Sequence, residues 1–150
     1  MNKKLKLVIG IFTFILLSTV TITIYESNIM KSKNISGDIY AVVKETYITD
    51  KGYSGEITQH MKMTVFNEIN AYSKYRGDTS QYKKPYKVEF SMKEDSETLI
   101  GGILIVKMTY SVNMKDSEDK SVGGSSNIPV TFTIKIIGDK WYILDKSEPA

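Results

Sequence analysis

From Leu7 to Ile24 the chain reads L-V-I-G-I-F-T-F-I-L-L-S-T-V-T-I-T-I, eighteen positions without a charge. A helix of that length rises about 27 Å, close to the roughly 30 Å hydrocarbon core of a bilayer. It is apolar on every side, which sets it apart from a helix with one buried stripe. Lys6 can snorkel at one end and Tyr25 can sit in the headgroup layer at the other. The pattern predicts an uncleaved transmembrane signal anchor over residues 1–25, flank included, and a stalk over 26–35. The alternative is a cleaved secretory signal. Against it, the apolar run exceeds the usual 7–15 residues or so, and no Ala-x-Ala-like site follows.

From residue 36 the period becomes helical. Ser36 reads as an N-cap, and Ile35, Ile39, Val42, Val43 and Tyr47 recur on one face until Thr49-Asp50-Lys51-Gly52 stops the helix. A second helix is expected from about Gly55 to Tyr75, with Ile57, Met61, Val65, Ile69 and Tyr72 as its stripe and Phe66 widening it. Arg76-Gly77-Asp78, an integrin-type tripeptide, reads as the helix end and a turn. The period then falls to two. Tyr86, Val88, Phe90 and Met92 alternate with polar residues, and Glu94 to Glu97 is expected to turn the chain. Leu104, Val106, Met108, Tyr110, Val112 and Met114 mark a second strand, with a bend expected at Gly101-Gly102 near its start. Lys115 to Asn127 reads as a long polar loop ending in Gly123-Gly124-Ser125-Ser126. Ile128, Val130, Phe132, Ile134 and Ile136 mark a third strand, and Gly138-Asp139 turns into a fourth over Trp141 to Lys146.

The sum is an α+β domain over residues 36–150, with two helices packed on a curved four-stranded antiparallel sheet. If the even-numbered residues of the middle strands are buried, Lys107, Thr109, Ser111, Thr131, Thr133 and Lys135 line the opposite face. That face is polar and threonine-rich, and it forms a candidate interaction surface.

Charge sharpens the topology. The chain carries 20 Lys+Arg against 17 Asp+Glu. Lys3, Lys4 and Lys6 hold the whole excess, since 20 minus 3 leaves 17 against 17. Lysines before an apolar span stay in the cytoplasm, which places the C-terminal domain outside. The formally neutral remainder lacks the basic face that nucleic acid requires. The absence of cysteine excludes disulfides, thiolate metal sites and a cysteine nucleophile, and His60 is the single histidine.

Chemistry is sparse. Glycine loops for phosphate, a nucleophile elbow and paired catalytic carboxylates are all missing from the sequence. Neither Glu94-Asp95-Ser96-Glu97 nor Asp116-Ser117-Glu118-Asp119 has the ligand spacing of a calcium loop, so both read as solvated turns. The expectation is a protein that is not an enzyme and needs no cofactor.

The closing I-I-G-D-K-W-Y-I-L-D, after two helices and alternating strands, resembles the C-terminal hairpin of NTF2-like domains of the cystatin-like superfamily. Behind a signal anchor, such a domain resembles bridging subunits of Gram-positive conjugation systems and small bacterial envelope proteins. The resemblance implies a membrane-anchored, extracytoplasmic interaction domain whose partners are envelope proteins or a second copy. As an alternative, it implies a cone-shaped pocket that binds or converts a small apolar ligand, with His60 and Asp145 as candidate pocket residues.

Overall fold

The computed structural model describes Thr13 and residues 15–21, 37–75 and 81–149. The chain divides into two units, Met1–Gly37 and Asp38–Ala150. In the first, Thr13 and residues 15–21 are helical, and the Ser18, Thr19 and Thr21 hydroxyls donate to carbonyls one turn back. Among the described residues no helix is long and apolar enough to cross a membrane. Most of the span Leu7–Ile24, the stalk, the Ser36 cap and the Arg76-Gly77-Asp78 triplet lie outside the described residues.

The second unit is α+β. Helix α1 covers residues 37–48, followed by α2 (Ile57–His60), α3 (Met63–Ile69) and α4 (Ala71–Lys74). Strands β1 (Lys87–Ile100), β2 (Ile103–Lys115), β3 (Ser121–Ile137) and β4 (Lys140–Ser147) form one curved antiparallel sheet in the order β1-β2-β3-β4. Alternation decides which face is buried. Leu104, Val106, Met108, Tyr110, Val112 and Met114 of β2 all point inward, with Val130, Phe132 and Ile134 of β3 beside them. Helix α1 covers this inner face through Ile39, Val43 and Tyr47, and the Tyr47 ring stacks on Phe90 with centroids 4.4 Å apart.

The expected second helix is broken in two places. Met61 is extended and bridges in parallel to Ile143, so the chain covers part of the open edge of β4 instead of continuing the helix. Asn70 also leaves the helical region, and its side chain caps α4 by accepting from the Ser73 N–H at 2.9 Å. The same side chain donates to the carbonyls of Thr46 and Thr49 at 2.8 and 2.9 Å, closing the end of α1. One amide thus satisfies groups at two helix termini, a tertiary gain that outweighs the local helical period.

The turns also differ from expectation. Glu94 to Glu97 does not turn the chain but lies within β1, where a register shift between Glu94 and Ser96 makes a bulge. The hairpin turns at Gly101-Gly102, where φ values of 56° and 81° suit a tight two-residue loop. The expected loop from Lys115 to Asn127 shrinks to the turn after β2, because β3 already starts at Ser121. Asp116 holds that turn by accepting from the N–H groups of Glu118 and Lys120, both at 2.9 Å. Glycine lets this stretch pair: a Cβ on Gly124 would stand 2.5 Å from the Val112 carbonyl oxygen.

Candidate functional site

The six residues of the candidate interaction face come together. On β2 and β3, Lys107 pairs with Thr131, Ile105 with Thr133 and Ile103 with Lys135, all on the outer face of the sheet. Lys107 and Lys135 are exposed, whereas Thr109, Ser111, Thr131 and Thr133 are half-buried. Two hydroxyls are engaged locally: Thr109 donates to Asp95 at 2.7 Å, and Ser111 accepts from the Asn127 N–H at 2.9 Å. At one end the polar strip meets aliphatic residues. Ile100 and Ile137 are exposed there, at 68% and 64%, with Ile103 and Ile105 half-buried between them.

The pair proposed for a pocket is not brought together. His60 lies at the end of α2, stacked on Trp141 with centroids 3.9 Å apart. Its Nδ1 is 3.2 Å from the Trp141 carbonyl oxygen and therefore carries a proton, since a carbonyl only accepts. Its Nε2 is 3.9 Å from the Glu56 carboxylate. Asp145 is exposed and pairs with Thr133 on the outer face. Strict alternation from Trp141 and Ile143 would have pointed it inward. A register shift reverses it, because Ile134 pairs with Ile143 while Thr133 pairs with Asp145, leaving Leu144 as the extra residue.

His60 and Trp141 border a half-open groove of about 730 Å³ between α1, α2 and the β3–β4 turn. Val42 and Ile57 contribute apolar surface to it, and Asp38, Glu45, Glu56, Lys51 and Lys140 stand around it. The middle of the sheet's inner face, by contrast, is filled. Tyr47, Leu104, Met108 and Phe132 pack there with at most 1% exposure. At its Met114 end that face opens into a second groove of about 710 Å³ beside Tyr72, Tyr75 and Tyr86.

Beyond the same bulge in β4 lies a polar cluster that strand alternation does not reveal. Glu148 accepts from the Tyr110 hydroxyl at 2.7 Å and pairs with Lys146 at 2.9 Å and Lys74 at 3.7 Å. Burial pushes the Glu148 carboxyl up, but hydrogen bonds from Tyr110 and Lys146 and the two lysine charges outweigh it, and the net shift is downward. Burial, reinforced by Glu148, raises the Tyr110 phenol. Tyr47 is raised as well, first by burial and then by neighbouring Tyr110, and its hydroxyl has no well-formed hydrogen bond among the described residues. The available sequence signal was two tyrosines at buried positions, since a buried phenol needs a polar neighbour. With every charge paired, the arrangement ties the chain's end to β2 and α4.

Among the described residues no three His, Asp or Glu side chains are grouped to hold a metal ion. Asp116 is buried and its carboxyl lowered: burial raises it, and the N–H groups of Lys83, Lys120 and Glu118 outweigh that. Its oxygens serve the turn.

No family model matches the chain, and no curated protein matches its sequence. Among solved structures, the intermembrane space region of the chloroplast protein ARC6 is similar at 13% identity, over 72% of this chain and 92% of that one, with a TM-score of 0.42. A likeness of that size carries no argument about function.

Proposed function

We propose that this chain is a membrane-anchored, extracytoplasmic interaction domain of the bacterial cell envelope, NTF2-like or cystatin-like in type, which works within a secretion or conjugation assembly. The observation that carries the reading is the contrast between the two faces of the sheet. The middle of the inner face is filled by Tyr47, Leu104, Met108 and Phe132. On the outer face, Lys107, Thr109, Ser111, Thr131, Thr133 and Lys135 form a strip beside exposed Ile100 and Ile137. A hydroxyl-rich strip with aliphatic residues at one end suits a hydrated protein partner more than a buried apolar ligand. The charge-free run Leu7–Ile24 behind three lysines supports the anchor and its orientation. Anchoring raises the local concentration of the domain at the membrane, so modest contacts suffice.

A second reading, a site for a small ligand, is favoured by the groove beside His60 and Trp141. Crosslinking in intact membranes separates the two. Lys107→Glu with Lys135→Glu should leave the fold intact and reduce association, while His60→Ala changes little. The reverse pattern would move the function to the groove. A reporter fused after Ala150 should be active only outside the cytoplasm; a mature N-terminus near Thr21 or Ser27 would replace anchoring by secretion.

A further inference from the structure

Strand β1 is the outermost strand, and among the described residues nothing pairs with its second edge. Such an edge presents a row of backbone donors and acceptors that another strand can complete. The regular part of β1 runs from Lys87 to Glu94, before the bulge residue Asp95. Ser91 lies midway between Lys87 and Asp95.

Two copies of one strand can pair antiparallel about a two-fold axis, and the charges of β1 select one register. Centred on Ser91, Lys87 of one copy faces Asp95 of the other, and Glu89 faces Lys93. All four positions lie on the outer face: Lys87, Glu89 and Lys93 by alternation, and Asp95 because it accepts from outer-face Thr109. The axis repeats each pair, giving four opposite-charge pairs. Neighbouring registers fail. A centre on Glu89, Lys93 or Glu94 sets a charge against itself, one on Phe90 sets Lys87 against Lys93, and one on Met92 sets Glu89 against Asp95. Slips by a half step place outer-face side chains opposite inner-face ones. On the inner face the Ser91 register brings Phe90 opposite Met92, a favourable sulfur–aromatic pair.

Lys93 makes no ion pair among the described residues, while Glu89, 45% exposed, already contacts Lys115 at 2.9 Å and Lys87 at 3.9 Å, so the Lys93 of a second copy would join an existing cluster. The longest unbroken stretch of strand and the complementary charges thus point to the same centre. We propose that two copies of this chain join through their β1 edges, antiparallel about Ser91, into one continuous sheet of twice the width. On the order of eight to ten backbone hydrogen bonds would form across the junction. The proposal stands independently of a partner on the outer face at Lys107 and Lys135.

The chain has no cysteine, so single thiols report cleanly. In the full chain, purified in non-ionic detergent, Ser91→Cys should form a disulfide-linked dimer under mild oxidation, whereas Ser117→Cys in the exposed β2–β3 turn should not. Lys93→Glu and Glu89→Lys, each alone, should raise the dissociation constant on the order of tenfold, because the axis counts each reversal twice. Mixing the two variants should restore association, since each then supplies the charge that the other lacks. The fluorescence of Trp141 checks that both remain folded. A monomer at tens of micromolar, equal linking at Ser91 and Ser117, or a mixture no tighter than its components would overturn the proposal.

Discussion

Asn70 is 2% exposed, and all three of its polar contacts with backbone groups are good ones. Replacing it by alanine strands the carbonyls of Thr46 and Thr49, whereas the Ser73 N–H keeps a second acceptor, the main-chain carbonyl of residue 70, at 3.1 Å. A buried group left without its partner costs roughly 1–3 kcal/mol. The sum for Asn70→Ala is about 3–5 kcal/mol, a large share of the 5–15 or so that holds a domain together. A midpoint drop on the order of 10–20 °C follows for a domain of this size. Asn70→Asp is the sharper test. It keeps the acceptor for Ser73 but sets a carboxylate oxygen 2.8 and 2.9 Å from two carbonyl oxygens in place of a donor. At neutral pH its loss should equal or exceed that of alanine, and it should shrink in acid, where a protonated carboxyl can donate again. Urea unfolding followed by the fluorescence of Trp141, the single tryptophan, measures both variants. A loss below about 1 kcal/mol for Asn70→Ala, or an aspartate variant more stable than the alanine one at pH 7, would refute the bridging role.

Two further outcomes follow from the core and the polar cluster. Trp141 is 5% exposed and stacked on His60, so Trp141→Ala should cost about 3–5 kcal/mol by calorimetry; a change within error would mean that its ring packs nothing of consequence. The Glu148 carboxyl is lowered in the folded chain, so its ionised form favours folding. That contribution is complete above the ordinary carboxylate pKa near about 4.3 and is lost as pH falls through the lowered folded value. Glu148→Gln should therefore be less stable at neutral pH and lose less on acidification, and parallel stability–pH curves for the two would argue against the cluster.

Periodicity alone determined the α+β order, the four strands and the buried face of β2, because a half-buried strand must alternate and a packed helix must repeat near every fourth residue. It also brought the six outer-face residues onto one surface, since parity is conserved wherever a strand is regular. What it could not decide was where regularity stops. The bulges at Asp95 and Leu144 each insert one residue, and the second turns Asp145 outward and Lys146 inward against expectation. No composition signal marks an inserted residue; its place depends on what the neighbouring strand offers. The helix breaks at Met61 and Asn70 have the same origin. The stripe Ile57, Met61, Val65, Ile69 is continuous in sequence, and the N–H groups of Met61 and Asn70 still bond one turn back; only the open edge of β4 and the carbonyl end of α1 offer the further partners that make the chain break there. Gly124 shows the limit from the other side: read alone, its glycine-serine stretch is a loop, and only the Val112 carbonyl against its backbone makes it a strand. Local pattern reports which residues are apolar and how often, whereas bulges, breaks and close approaches are settled by partners far away in the chain.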